Sequence, residues 1–183
     1  MRKLIILSLL AAALASCSNV AKYKEAIETL SADWEATTSK VSATVSQITE
    51  AQDQAKTALQ AISPSEEASA SLTEDQSMKI GELQGVLQEQ MGNLGQLAQK
   101  AFEFVNQWQE GSEKLEDLKT GLAEGKLPAD AQSTIDNLKE MVTTAGEEVK
   151  GWESEVNTAK EAIKKVTDAY NELIGSSMDK ADM

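Results

Sequence analysis

Residues 20–62 read VAKYKEAIETLSADWEATTSKVSATVSQITEAQDQAKTALQAI. Steps of three and four from Val20 reach Tyr23, Ile27, Leu30, Trp34, Thr37, Val41, Thr44, Ile48, Ala51, Ala55, Ala58 and Ile62 without a slip. Residues so spaced share one stripe of an α-helix, and a stripe that repeats every seven residues is the seam of a coiled coil. Neither proline nor glycine interrupts the stretch, so a single helix is predicted over about 20–62.

The same spacing occurs twice more. One run goes from Ile80 through Leu83, Leu87, Gln90, Leu94, Leu97, Ala101, Phe104, Trp108, Gly111, Leu115 and Leu118 to Leu122. The other goes from Ala131 through Ile135, Leu138, Val142, Ala145, Val149, Trp152, Val156, Ala159, Ile163, Val166 and Tyr170 to Leu173. Helices are therefore predicted over about 73–123 and 128–174. Ser63-Pro64-Ser65-Glu66-Glu67 and the Ser/Ala stretch after it suit a loop, and Thr73 with Gln76 can form a capping box. Gly121, Gly125 and Pro128 mark a tight turn, with the proline at the first helical position where its missing N–H is tolerated. Gly175 ends the last run, and 176–183 form a frayed tail.

Helices of this length measure about 65–75 Å at 1.5 Å per residue. Short connections make neighbours antiparallel, so the expected fold is all-α: an elongated, antiparallel three-helix coiled-coil bundle over 20–175. It resembles a spectrin repeat, in architecture only. With Ile62 level with Gln76 and Leu122 level with Ala131, Trp34 falls beside Phe104 and Val149, Trp108 beside Leu30 and Ala145, and Trp152 beside Thr37 and Ala101. Trp34, Trp108 and Trp152 then occupy nearby layers, either as a plug of the core or as an apolar ligand pocket; heptad core positions are ordinarily filled by packing. The Ala51-Ala55-Ala58 strip falls near Leu83, Val166 and Tyr170, closing on them or leaving a groove. Gln90 and Gly111 are small defects in the second seam. Gly81, Gly85, Gly92 and Gly95 fall on the outer face of the second helix, where each costs about 1 kcal/mol relative to alanine. Either that half is locally flexible or a partner helix docks closely there.

The first residues, MRKLIILSLLAAALASC, combine a basic start (Arg2, Lys3), an apolar run and small residues before the sole cysteine, the pattern of a cleaved secretory leader. The apolar run is too short to span a bilayer. Leu14-Ala15-Ser16-Cys17 resembles the lipobox of bacterial lipoproteins. That resemblance implies a signal peptide over 1–16 and an acylated terminus over 17–19, with Cys17 diacylated on sulfur, cut free before itself and acylated on its new amine. Several acyl chains anchor firmly where one does not. Ser18 in place of aspartate implies sorting to the outer membrane. The absence of an acidic cluster in Ser18-Asn19-Val20 implies a periplasm-facing protein of the cell envelope.

Composition narrows the chemistry. The chain carries 17 basic and 30 acidic residues, a net charge of −13, and loss of Arg2 and Lys3 with the leader takes this to −15. Such a chain repels nucleic acid and anionic headgroups. It has no histidine, and an acylated Cys17 leaves no thiol, so zinc, copper, haem and His- or Cys-based catalysis lose their usual groups. Glu147-Glu148 and Glu153/Glu155 lack the loop of oxygen ligands that a calcium site needs. No phosphate loop, nucleophile elbow or metal motif occurs. The expectation is a non-enzyme without metal or cofactor: a membrane-tethered scaffold or interaction module that meets an envelope protein, or else a carrier or chaperone-like module for an apolar ligand or unfolded client, or a surface adhesin. Lys180 is followed by Ala181-Asp182-Met183, unlike the murein lipoprotein, which ends in its peptidoglycan-linked lysine.

Overall fold

The computed structural model describes the backbone of residues 2–65, 69 and 72–181 and the side-chain surroundings of 20–65, 69 and 72–175. The protein is an all-α three-helix bundle. Among the described residues the long elements are α1 (Arg2–Ala61), α2 (Glu74–Ala123) and α3 (Ala131–Ala181). The side chains of Leu14, Ala15, Ser16 and Cys17, and those of the tail from Ser176, lie outside the described residues.

Each helix ends for a local reason. α1 stops just before Ser63-Pro64, since proline disfavours helical backbone at the residue preceding it, and the Ser63 hydroxyl donates to the Leu59 carbonyl at 2.7 Å. α2 opens on the expected capping box: the Thr73 N–H donates to Gln76 Oε1 at 3.0 Å and the Gln76 N–H to Thr73 Oγ1 at 3.3 Å. Glu74 and Asp75 in its first turn oppose the positive end of the helix dipole. At its other end Gly125 adopts φ +71°, the left-handed conformation that glycine alone takes without strain. The Lys126 N–H then reaches back to the Gly121 carbonyl at 2.8 Å and the Gly125 N–H to Leu122 at 3.3 Å, a Schellman closure.

Three boundaries differ from the sequence expectation: α1 runs back past Val20 to Arg2, and both ends of the third helix shift. α3 starts at Ala131 and not at Pro128. The Pro128 carbonyl accepts from the Ala131 N–H at 3.2 Å, and the first i to i+4 bond runs from Thr134 to Asp130 at 3.0 Å, so the fixed φ of proline serves the turn before the helix. α3 also continues through Gly175 to Ala181. Gly175 lacks the positive φ that makes Gly125 a stop, and a glycine in a helix interior costs only about 1 kcal/mol.

The chain forms two compact units. Met1–Val41 and Glu103–Glu148 make up the first; Ser42–Phe102 and Val149–Met183 make up the second. In the first, Ile27, Leu30, Trp34 and Val41 of α1 are buried, as are Trp108, Leu115 and Leu118 of α2 and Ile135, Leu138 and Ala145 of α3. In the second, the small Ala51, Ala55 and Ala58 are buried along with the larger Leu87, Leu94 and Leu97 and with Trp152, Val156 and Ile163. Every buried residue except Gly121 lies on one of the three heptad runs, and no described seam position is exposed.

The register differs from the expected one by about a heptad. In the second unit Gln84 Nε2 donates to the Ile62 carbonyl at 3.5 Å, and Gln52 Nε2 to the Leu94 carbonyl at 3.2 Å. α1 and α2 therefore run antiparallel there, with Ile62 level with Gln84, eight residues beyond Gln76. In the first unit Trp34 pairs with Ser112 and Thr38 with Trp108, again antiparallel and again displaced by eight from the expected Trp34–Phe104 level. A seam that repeats every seven residues stays apolar when slid by about one repeat, so the hydrophobic pattern does not choose between the two. The segment from 63 to 73 permits the slide: its eleven residues can reach about 36 Å, and eleven residues of helix rise only about 16 Å.

Candidate functional site

Trp34 and Trp108 meet face to face. Their ring centroids lie 3.7 Å apart with planes 12° from parallel, and Phe104 approaches Trp108 at 5.8 Å. Each indole has a hydroxyl partner on the opposing helix. Trp34 Nε1 donates to Ser112 Oγ at 2.9 Å, and Ser112 Oγ donates to the Trp108 carbonyl at 3.0 Å. Trp108 Nε1 donates to Thr38 Oγ1 at 2.9 Å, and Thr38 Oγ1 donates to the Trp34 carbonyl at 2.8 Å. The two circuits mirror each other: on each helix a tryptophan is followed four residues later by a hydroxyl, and antiparallel packing sets each indole against the other's hydroxyl. Both rings are buried, and each indole N–H finds its acceptor, as a buried N–H requires, on the half-buried Ser112 or the exposed Thr38.

Gly111 makes room for this pair. A Cβ at position 111 would lie 2.5 Å from Trp34 Cη2, 2.9 Å from Trp34 Cζ2 and 3.0 Å from Met141 Cε. What the sequence presents as a seam defect is thus the seat of the Trp34 ring. Met141 of α3 approaches the same glycine. Gly111→Ala is expected to destabilise the protein by about 1–3 kcal/mol, the usual cost of overpacking. The Trp34→Leu background should remove most of that penalty, because the clashing ring is gone. Urea titration of the four proteins of this cycle measures the coupling; additive effects would contradict the contact.

Rings stacked at 3.7 Å leave no space for a ligand between them, so this part of the expected Trp cluster is a packed core. Trp152 is also buried but belongs to the second unit. The sequence analysis missed Thr38 and Ser112. Their signal was present in the spacing of Trp34 to Thr38 and of Trp108 to Ser112.

The four outward glycines lie on the second unit's part of α2. Gly81, Gly85, Gly92 and Gly95 are all exposed, and a Cβ at any of them would meet no other atom within 4 Å. Packing within the chain therefore does not require them. Met78 and Phe102, on the same helix, are 60% and 67% exposed. The Ala58 end of the alanine strip borders an open groove between α1 and α3, lined also by Thr57, Ala61, Ile163 and Thr167 with Lys160 and Lys164 at its edge.

No protein-family model, curated protein or solved structure matches this chain.

Among the described residues no three or more His, Cys, Asp or Glu side chains converge to hold a metal ion, and no helix is long and apolar enough to cross a membrane. Glu116, 2.9 Å away, raises the Lys119 ammonium above its usual pKa, and Asp168 does the same for Lys164 at 2.6 Å. Both pairs are exposed neighbours on one helix, the kind that contribute little to stability.

Proposed function

We propose that this chain is a bacterial envelope lipoprotein whose helical body is a non-catalytic interaction module. The observation that carries the reading is Leu14-Ala15-Ser16-Cys17 behind a basic, apolar leader. Acylation of Cys17 would hold the body at a membrane, on this reading the outer membrane facing the periplasm, without a spanning helix. The body contributes a surface. Three helices whose buried residues keep heptad spacing support a coiled coil with the architecture of a spectrin repeat. The exposed glycines of α2 support a docking face, because a helix without side chains there lets a partner backbone approach closely. A net charge of −13 and the absence of histidine favour a protein partner over nucleic acid, metal or cofactor.

Cys17→Ser tests the anchor. The native protein is expected in the membrane fraction and the variant in the soluble fraction, with an intact mass for the native protein that carries the added acyl chains. An unmodified Cys17 thiol in the native protein would overturn the reading.

A further inference from the structure

Two positions of the α2 seam carry no apolar side chain, Gln90 and Gly111. The Trp34 ring accounts for Gly111; packing does not account for Gln90. A polar residue at a coiled-coil core position costs stability, and one that serves the fold alone hydrogen-bonds within it. Gln52 and Gln84, half-buried like Gln90, do so through the Leu94 and Ile62 carbonyls of the facing helix. Among the described residues the Gln90 carboxamide has no such partner.

Gln90 lines instead a groove of about 220 Å³ between α2 and α3, wholly within the second unit. The buried Leu94, Leu97 and Ala159 make its base apolar. Asn93 and Gln96 add two more carboxamides to its α2 wall, and among the described residues neither side chain has a hydrogen-bond partner. On the α3 wall Thr158 Oγ1 donates to the Ser154 carbonyl at 2.9 Å, which leaves that hydroxyl free to accept. Lys100 stands on the α2 wall and Glu155 on the α3 wall. Among the described residues neither belongs to an ion pair.

We propose that this groove binds a small zwitterion of the free amino-acid class. Its volume lies below the roughly 300–1,000 Å³ of pockets that take drug-sized ligands, so the occupant is small. One cation and one anion on facing walls disfavour a simple anion or a simple cation, since either would meet a like charge. A zwitterion satisfies both: its carboxylate takes the Lys100 ammonium and its own ammonium takes the Glu155 carboxylate. Carboxamides offer donors and acceptors together, so the ligand side chain they suit is polar and uncharged, as in glutamine or serine. The cost of Gln90 on the seam is then met by hydrogen bonds that the ligand supplies and the chain does not.

Isothermal titration calorimetry of the full-length protein in detergent micelles, with L-glutamine, L-serine, L-leucine and N-acetyl-L-glutaminamide as probes, tests this. Saturable binding of L-glutamine or L-serine is expected, about tenfold tighter than L-leucine. The N-acetyl amide keeps the glutamine side chain, lacks both charges and should not bind. Gln90→Leu completes the apolar seam, so it should raise the midpoint of urea unfolding and yet weaken binding about tenfold or more. Lys100→Gln and Glu155→Gln, at exposed positions, should each weaken binding to a similar degree and leave the midpoint in place. No saturable heat with any zwitterion up to about 10 mM, or binding indifferent to Gln90→Leu, overturns the inference. So does a lowered midpoint for Gln90→Leu, which would make the glutamine a packing residue. The N-acetyl amide bound as tightly as L-glutamine, or binding unmoved by both charge removals, overturns the zwitterion. L-leucine bound as tightly as L-glutamine overturns the role of the carboxamides.

Discussion

Trp108→Ala is expected to lower the unfolding free energy by about 3–5 kcal/mol, the range for deleting a large buried aromatic side chain. Three losses coincide at this residue. Its ring is buried at 4% exposure and stacked on Trp34, so the substitution leaves a cavity against an indole with nothing opposite it. The Thr38 hydroxyl loses its donor, and both helices lose the contact that sets their level. Trp108→Phe separates these contributions: it keeps most of the apolar area but removes the N–H, so it should cost about 1 kcal/mol from the hydrogen bond together with the smaller ring's imperfect fit. Urea unfolding followed by far-ultraviolet circular dichroism measures both. The stacked pair should also give an exciton-coupled dichroism band in the native protein that either substitution abolishes. A cost below about 1 kcal/mol for Trp108→Ala, with the band unchanged, would show that the rings do not stack in solution.

Much of this fold was legible because a helix seam is a one-dimensional signal. Val41, Ile48, Leu94, Val156 and the rest of the buried set stand at steps of three and four, and each follows from the spacing alone. Thr73 with Gln76 is equally local, and both of its hydrogen bonds form. The level of one helix against the next is a different quantity. A heptad pattern is nearly unchanged by a slide of seven, so only features that break the repeat can fix the level. Here those features are Trp34, Trp108 and Gly111, with Thr38 and Ser112 to satisfy the indoles. The hydrophobic count treated the tryptophans as large apolar residues and Gly111 as a gap. Sequence reasoning that asked where each indole N–H finds an acceptor would have sought a hydroxyl on the facing helix, and the matching positions of Thr38 and Ser112 would have selected the observed pairing. Pro128 and Gly175 misled for a related reason: each residue type serves two roles, and the choice between turn and helix terminus depends on the φ of its neighbours and not on its identity.

The outward glycines lead to a prediction of opposite sign. Replacing Gly81, Gly85, Gly92 and Gly95 together with alanine is expected to raise the stability of the second unit by about 2–4 kcal/mol, since each substitution removes a helix-interior penalty of about 0.5–1 kcal/mol. Their surroundings set the sign: an added Cβ at any of the four meets no atom within 4 Å, so no overpacking opposes the gain, in contrast to Gly111, where the same methyl strikes Trp34. Part of the effect arises in the unfolded chain, whose conformational freedom falls with every glycine lost. Chemical denaturation with an unchanged m-value and a raised midpoint would report a gain in stability without a change of fold. Four glycines on one exposed face, each less stable there than alanine, describe a helix kept below its attainable stability on the side that faces solvent. Selection tolerates such a deficit where function requires it, and close approach of a second helix backbone is a requirement that glycine meets and larger side chains do not. If the alanine variant gains stability and also loses its crosslinked partners in cells, the deficit and the proposed docking face have a single cause. A loss of stability on substitution would place another chain segment against these positions and remove the basis for an open face on α2.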